Sequence, residues 1–272
     1  MKIVNRRPDK TADVSSARAT AGRELWQLLL SAVVLLIALF FVVGWTVDFV
    51  VARISFETEA NVFKHLRFPV PDMQTSSGPE HLEKAGAILS RLRSDPSVPP
   101  LPYRLVLIEQ KEPNAFAFPG GTIGVTTGLL EVLDEQIGLA FVLGHELGHF
   151  HNRDHLQGMG RAIGFRIIMA MIFGAGGDGA ESFGNMIELV FQRGYSQEAE
   201  KAADRFGLEL VHSAFGKTQG VDRLFQMLLD EQKMPGWAYM FSTHPSPRTR
   251  IDDLRRYAAA LVAGGGGNGQ RH

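Results

Sequence analysis

His145-Glu146-Leu147-Gly148-His149 is the stretch of this chain whose residue types and spacing best suit chemistry. Two histidines four positions apart on a helix share one face, about one turn apart. Two imidazoles placed so can grip one metal ion, and Glu146 beside the first can reach a water on that metal rather than the metal itself. The apolar residues Leu139, Ala140, Val142 and Leu143 predict that the helix, Glu135–Asn152, is buried. A catalytic zinc needs a third protein ligand and an open position for water. No third histidine follows at short spacing, which leaves the downstream carboxylates Glu181, Glu188, Glu198 and Glu200. Glu200 lies in Tyr195-Ser196-Gln197-Glu198-Ala199-Glu200-Lys201-Ala202-Ala203-Asp204, where small residues permit close packing. Glu200 and Asp204 are i, i+4, so one can bind the metal while the other orients a ligand histidine. Spacing alone leaves the choice among the four glutamates open.

The elements that must position these groups follow from the pattern around them. Pro79–Asp95 has Leu82, Ala85, Ile88, Leu89 and Leu92 at helical spacing. Tyr103–Glu109 reads as a strand, Asn114–Gly121 as a loop ending in Pro-Gly-Gly, Thr122–Thr126 as a second strand and Thr127–Leu133 as the start of a short helix. Further helices are expected at Gly184–Phe191, Ser196–Ser213, Gly220–Gln232 and Pro247–Val262. Gly160–Gly177 is apolar but broken by Arg161, Arg166 and glycines, and reads as a buried or membrane-apposed hairpin rather than a second crossing. Phe183–Phe191 is expected to pack beside it as a mobile lid. His151 and His155 read as solvated or helix-capping, and Arg248 and Arg250 as braces for their own segment.

Leu25–Val47 is 23 residues without a charge. At 1.5 Å per residue it extends ~34 Å, enough for a hydrocarbon core of about 30 Å. Trp26 and Trp45 sit at its ends, where interfacial aromatics belong. It is too long for a signal-peptide core, and no Ala-x-Ala site follows. Six Lys and Arg precede it, whereas Arg53, Lys64 and Arg67 are the only ones in the next 20 residues. The positive-inside rule then places the N-terminus in the cytoplasm and the larger part across the membrane, in a bacterium the periplasm. The domains expected are a disordered tail over 1–24, a transmembrane helix over 25–47, a connector over 48–78, a catalytic domain over 79–262 and a flexible Gly-rich tail over 263–272.

The 272 residues carry 28 basic and 29 acidic side chains and no cysteine. Without cysteine there is no disulfide scaffold, thiolate zinc site, iron–sulfur cluster or cysteine nucleophile. A net charge of -1 argues against a nucleic-acid partner. Neither composition nor motif speaks to an oligomer.

Gly144–His149, Tyr195–Asp204 and Ser242–Pro245 together resemble the gluzincin peptidases grouped with the type I CAAX prenyl protease, HtpX, the mitochondrial Oma-type protease and periplasmic outer-membrane-assembly proteases. Asn114-Ala115-Phe116-Ala117-Phe118-Pro119-Gly120-Gly121 also matches that group's loop before its edge strand, and the likeness covers roughly Pro79–Arg256. Gln197 stands where the group usually has Arg, which puts that residue's salt bridge in question but not the metal site. The resemblance implies an α+β, mostly helical zincin-like domain with a small sheet behind one transmembrane helix. It implies one zinc ion held by His145, His149 and Glu200, with Asp204 behind the ligands. Glu146 would be the general base for a water whose pKa zinc lowers to about 7. It places His244, of Ser-Thr-His-Pro, near the metal, either stabilising the oxyanion or blocking the zinc in a resting state. It makes Gly121, Thr122, Ile123, Gly124 and Val125 an edge strand that holds a polypeptide substrate by strand addition, with Gly124 allowing close approach. The function implied is hydrolysis of unfolded or misassembled envelope proteins. The alternatives are a catalytically silent or self-inhibited scaffold or chaperone of the same fold, and a CAAX-type prenyl-protein protease.

Overall fold

The computed structural model describes residues 12–64, 79–133, 136–173, 194–218, 220–221 and 247–265. The chain divides into two compact units, Met1–Val47 and Asp48–His272. Most of the first is helix α1 (Ala12–Val51). From Gly22 to Val51 this helix is long and apolar enough to cross a membrane, and its Leu, Val, Ile, Phe and Trp side chains are largely exposed. A helix apolar on all sides suits lipid rather than water. The helix begins at Ala12, inside the stretch read as a disordered tail. Ala17, Arg18, Ala19 and Ala21 favour helix, and extending an existing helix needs no new nucleus.

The second unit is mostly helical with a small sheet. Helix α2 (Phe56–Phe63) starts at Ser55, whose Oγ accepts the Thr58 N–H at 3.0 Å. The region read as a connector therefore holds a helix, and its Glu59 is completely buried. Helix α3 (Pro79–Leu92) turns Ala85, Ile88, Leu89 and Leu92 into the core, as the periodicity requires. Strands β1 (Arg104–Ile108), β2 (Ala115–Phe118) and β3 (Thr122–Thr126) follow, then α4 (Thr127–Val132). The chain continues through α5 (Gln136–Asn152), α6 (Asp154–Phe173), α7 (Gln197–Phe215) and α8 (Pro247–Gly265).

The sheet order is β1-β3-β2, with β1 parallel and β2 antiparallel to β3. Two expectations change here. Ala115–Phe118 is a strand rather than a loop; Ala115 and Ala117 are buried between flanking Asn and Pro-Gly-Gly, punctuation that masks a short alternating run. Thr122–Thr126 is the central strand, paired on both sides, so it has no free edge for strand addition. Gly124 makes room for its neighbours in the fold: a Cβ there would lie 2.7 Å from Ile108 Cδ1 and 2.8 Å from Phe118 Cε2.

Of the segment read as a hairpin, residues 160–173 continue α6 without a turn. Phe183–Phe191, Gly184–Phe191, Gly220–Gln232 beyond residue 221, and His244 lie outside the described residues.

Candidate metal centre

Residues 137–150 of α5 are all buried, so the helix must be covered on every side. The cover from α7 is unusually close, and small residues make it so. A Cβ on Gly148 would lie 2.7 Å from Ala203 Cα, and one on Gly207 2.7 Å from the His145 nitrogen. Gly144 faces Gly207 in the same way, a Cβ there meeting the Gly207 Cα at 3.0 Å. The pairs Gly144/Gly148 and Ala203/Gly207, each spaced four residues, form flat strips along which the two backbones touch. Ser196 starts α7 by accepting the Ala199 N–H at 3.2 Å, and this places Glu200 in the first turn.

Backbone contact brings three ligand-type side chains together. His145, His149 and Glu200 each offer an atom, all within 4.8 Å of one another, and all three residues are buried. The two Nε2 atoms are 3.0 Å apart. His145 Nε2 lies 3.6 Å from Glu200 Oε2, and His149 Nε2 3.6 Å from Glu200 Oε1. Donors each about 2.0–2.1 Å from a tetrahedral zinc lie roughly 3.3 Å from each other, close to these separations.

The outward ring nitrogens carry the second half of the argument. His145 Nδ1 is 2.9 Å from Asp204 Oδ1, and His149 Nδ1 is 2.8 Å from Asp154 Oδ2. A carboxylate accepts, so each Nδ1 carries the proton and each Nε2 presents a lone pair. Two lone pairs and a carboxylate converging in a buried space suit a divalent cation. Burial lowers the pKa of His145 against the pull of Asp204, which keeps its imidazole neutral and ready to ligate near pH 7.

Arg250 closes the back of the site. Its Nε and Nη2 donate to the two Asp204 oxygens at 2.8 and 2.6 Å, and its Nη1 is 2.8 Å from Glu200 Oε2. The bidentate fork fixes Asp204 in the plane it needs to meet His145. Tyr195, just ahead of α7, stacks its ring on His149 with centroids 3.9 Å apart. Burial and the nearby charges of Glu146, Asp154 and Glu200 push the Tyr195 phenol well above its ordinary pKa, so it stays neutral.

These charges give an acid signature. Burial alone would raise Asp204, but Arg250 and His145 outweigh it and hold the carboxyl below its ordinary value. Glu59 is lowered in the same way, against burial, by His155, Gly120 and Arg153. Such groups stabilise the fold fully above their ordinary pKa and lose that contribution as pH falls through the folded one. Thermal melts of the zinc-free chain in chelator should therefore drop steeply below about pH 4. Between about pH 6 and pH 4 the change should be small. His145, lowered by burial, loses stability there, while Asp154, raised by burial to about 6, gains it. A midpoint that stays level down to pH 3 would refute this account.

The expected residues are placed as follows. His145, His149 and Glu200 converge, Asp204 meets His145, and Glu146 is buried between the two histidines in the chain. Glu198 faces solvent, while Glu181 and Glu188 lie outside the described residues. Arg250 reaches across to α7 rather than bracing only its own segment. His155 is not solvated: it is buried, its Nδ1 caps the last turn of α5 at the His149 carbonyl, 3.2 Å away, and its Nε2 lies 2.8 Å from Glu59 Oε1. His151 is exposed, as read, and stacks on Phe206. Asp154 and Tyr195 were not singled out. For Asp154 the available signal was a carboxylate five positions after His149, at the break that follows the helix.

The sequence profile of Peptidase family M48 matches residues 80–258. Among curated proteins, the mitochondrial metalloendopeptidase OMA1 of Danio rerio is 26% identical over 200 residues, 66% of this chain and 41% of that protein. A putative beta-barrel assembly-enhancing protease of Vibrio cholerae is 28% identical over 168 residues, 58% of this chain and 35% of that protein. A protease HtpX homolog of Salinibacter ruber is 28% identical over 220 residues, 66% of this chain and 78% of that protein. The chain thus spans well under half the length of the first two relatives. The matched region covers most of the sequence and contains the buried cluster of two histidines and a glutamate able to hold a metal: the chain belongs to peptidase family M48.

Proposed function

We propose that this protein is a membrane-anchored zinc endopeptidase that hydrolyses internal peptide bonds of polypeptides. The observation that carries the reading is the convergence of His145 Nε2, His149 Nε2 and the Glu200 carboxylate, with Glu146 next to the first ligand on the same helix. When bound, zinc polarises the scissile carbonyl and acidifies a water molecule. Glu146 takes the water's proton as the carbonyl is attacked and passes it to the departing amine. Asp204 and Asp154 hold the two histidine rings in the tautomer that leaves Nε2 free to ligate. Arg250 holds the Asp204 carboxyl below its ordinary pKa and pairs with Glu200, fixing both in place. His244 remains the candidate to receive the negative charge on the attacked oxygen.

The substrate strand is assigned to β2 instead of β3. The free edges of the sheet lie on β1 and β2 among the described residues, and α5 packs against β2. An extended peptide can add to that edge by backbone hydrogen bonds. Unfolded envelope proteins fit this mode, because a folded chain rarely offers an unpaired strand. The helix Gly22–Val51 anchors the protein, with its N-terminus in the cytoplasm and the second unit in the periplasm of a bacterial inner membrane.

The test is metal content and casein cleavage by the detergent-solubilised chain. About one zinc per chain, cleavage abolished by a chelator and restored by added zinc, is the expected result. Stoichiometric zinc with no cleavage of any unfolded protein would favour a silent scaffold. No bound metal would overturn the reading.

A further inference from the structure

Glu59 has no part in the site described above, yet it is 0% exposed on a short helix that follows the membrane segment in the chain. Its Oε2 is 2.7 Å from Arg153 Nη1. Its Oε1 is 2.8 Å from His155 Nε2 and accepts the Gly120 N–H at 2.9 Å. Arg153 also donates to the Ile54 carbonyl at 2.8 Å, and its guanidinium lies 3.6 Å over the Phe56 ring. Phe63, at the far end of α2, sits against Gly120, where a Cβ would come within 2.7 Å of the Phe63 Cβ. One carboxylate thus ties α2 to two places: the break between α5 and α6, and the turn between β2 and β3.

The break between the helices matters because of its backbone. Arg153 has φ 64°, the single positive-φ non-glycine among the described residues. A side chain disfavours that conformation, and it persists only where surrounding contacts over-determine it. Its backbone bonds Phe150, Leu156 and Gln157 of the two helices it joins, whereas its side-chain contacts, to Glu59, the Ile54 carbonyl and the Phe56 ring, come from α2 and the residues just before it. The corner it makes sets the direction of the next residue, Asp154, which holds His149 Nδ1 at 2.8 Å. His155 adds a second link, its Nδ1 lying 3.2 Å from the His149 carbonyl. A buried carboxylate is a weak device for stability, since an apolar side chain avoids its desolvation. What it supplies here is direction.

We propose that Glu59 is a positioning residue for the metal site: through the Arg153 corner it sets where Asp154 meets His149, so the ligand geometry depends on α2. This rests on the metal-site reading above. It also means that a displacement of α2 reaches the ligands without touching them.

The test uses the full chain in detergent micelles, with zinc affinity measured by competition with a chromophoric chelator. Amide hydrogen exchange of residues 149–155 is followed in the zinc-free protein. Glu59→Gln should weaken zinc binding by ~10-fold or more, the effect expected of changes behind the ligands, and should speed exchange at 149–155. The double variant Glu59→Gln with Arg153→Gly should recover part of the lost affinity, because glycine adopts the corner without strain. Leu92→Ala, a core truncation on α3, is the control for stability loss alone and should keep the parent's affinity. If Glu59→Gln does not fold, Glu59→Asp replaces it and should show the same losses to a smaller degree. Parent-like affinity, or exchange at 149–155 no faster than in the control, would overturn the proposal. If the parent itself binds no zinc, the metal reading fails, and the exchange comparison alone decides whether the clamp exists.

Discussion

Glu146→Gln should leave the fold and zinc content of this protein intact while slowing proteolysis by about 10²–10⁴-fold, the usual contribution of a positioned general base. That range corresponds to about 3–5 kcal/mol of barrier. Glu146 is 1% exposed, so it is shielded from the water that would otherwise compete for its charge. It directly follows the first ligand on α5, inside the fully buried run of that helix. Glutamine keeps the shape and hydrogen-bonding capacity of the side chain but cannot take the proton. Atomic absorption gives the zinc content, and a fluorogenic casein assay gives the rate. Parent-like cutting would place the base elsewhere. Loss of zinc in the variant would make Glu146 a structural residue.

A second large effect is expected at a position with no reactive group. Gly148→Val should abolish stoichiometric zinc uptake and lower the melting temperature. The first added carbon already falls 2.7 Å from Ala203 Cα and 2.9 Å from the Ala203 carbonyl oxygen, and backbone atoms cannot rotate aside. The two helices must separate, and Glu200, one turn from Ala203, moves away from the histidines with them. Overpacking of this kind costs about 1–3 kcal/mol even where side chains can adjust. Gly138→Ala on the same helix is the contrast: among the described residues its Cβ would have only Leu133 Cδ2 near it, at 3.4 Å. Alanine is the better helix former, so that variant should bind zinc normally and melt no lower than the parent. A Gly148→Val protein that still takes up one zinc would show that the helices tolerate separation.

The local part of this molecule was readable from its residues. The four-residue spacing of His145 and His149 and that of Glu200 and Asp204 each fix a shared helix face, and both pairs lie where that rule puts them. The choice of Glu200 over Glu198 needs the resemblance, since two glutamates two positions apart on an unplaced helix look alike. What depends on long-range pairing was not readable. Strand order is absent from local pattern, so Thr122–Thr126 reads as an edge strand although both sides of β3 are paired. Glu59 sits 94 and 96 positions from Arg153 and His155, and nothing near it in sequence announces a buried ion cluster. Arg250 reads in sequence as a brace for its own segment, but its side chain reaches a helix 46 positions earlier.

The backbone-to-backbone seam between α5 and α7 also orders events in time. His149 and Glu200 are 51 positions apart, and Arg250 follows 50 positions after Glu200. At a synthesis rate of roughly 5–20 residues per second, Glu200 leaves the ribosome about 3–10 s after His149, and Arg250 a similar interval later. In the first interval the nascent chain owns two imidazoles and a glutamate base but no third ligand. In the second it has the ligand but lacks the cation that neutralises two buried carboxylates. On the proposed function the enzyme is itself an unfolded polypeptide while being made, and this seam, unable to close until α7 has emerged, keeps the three ligands apart until then.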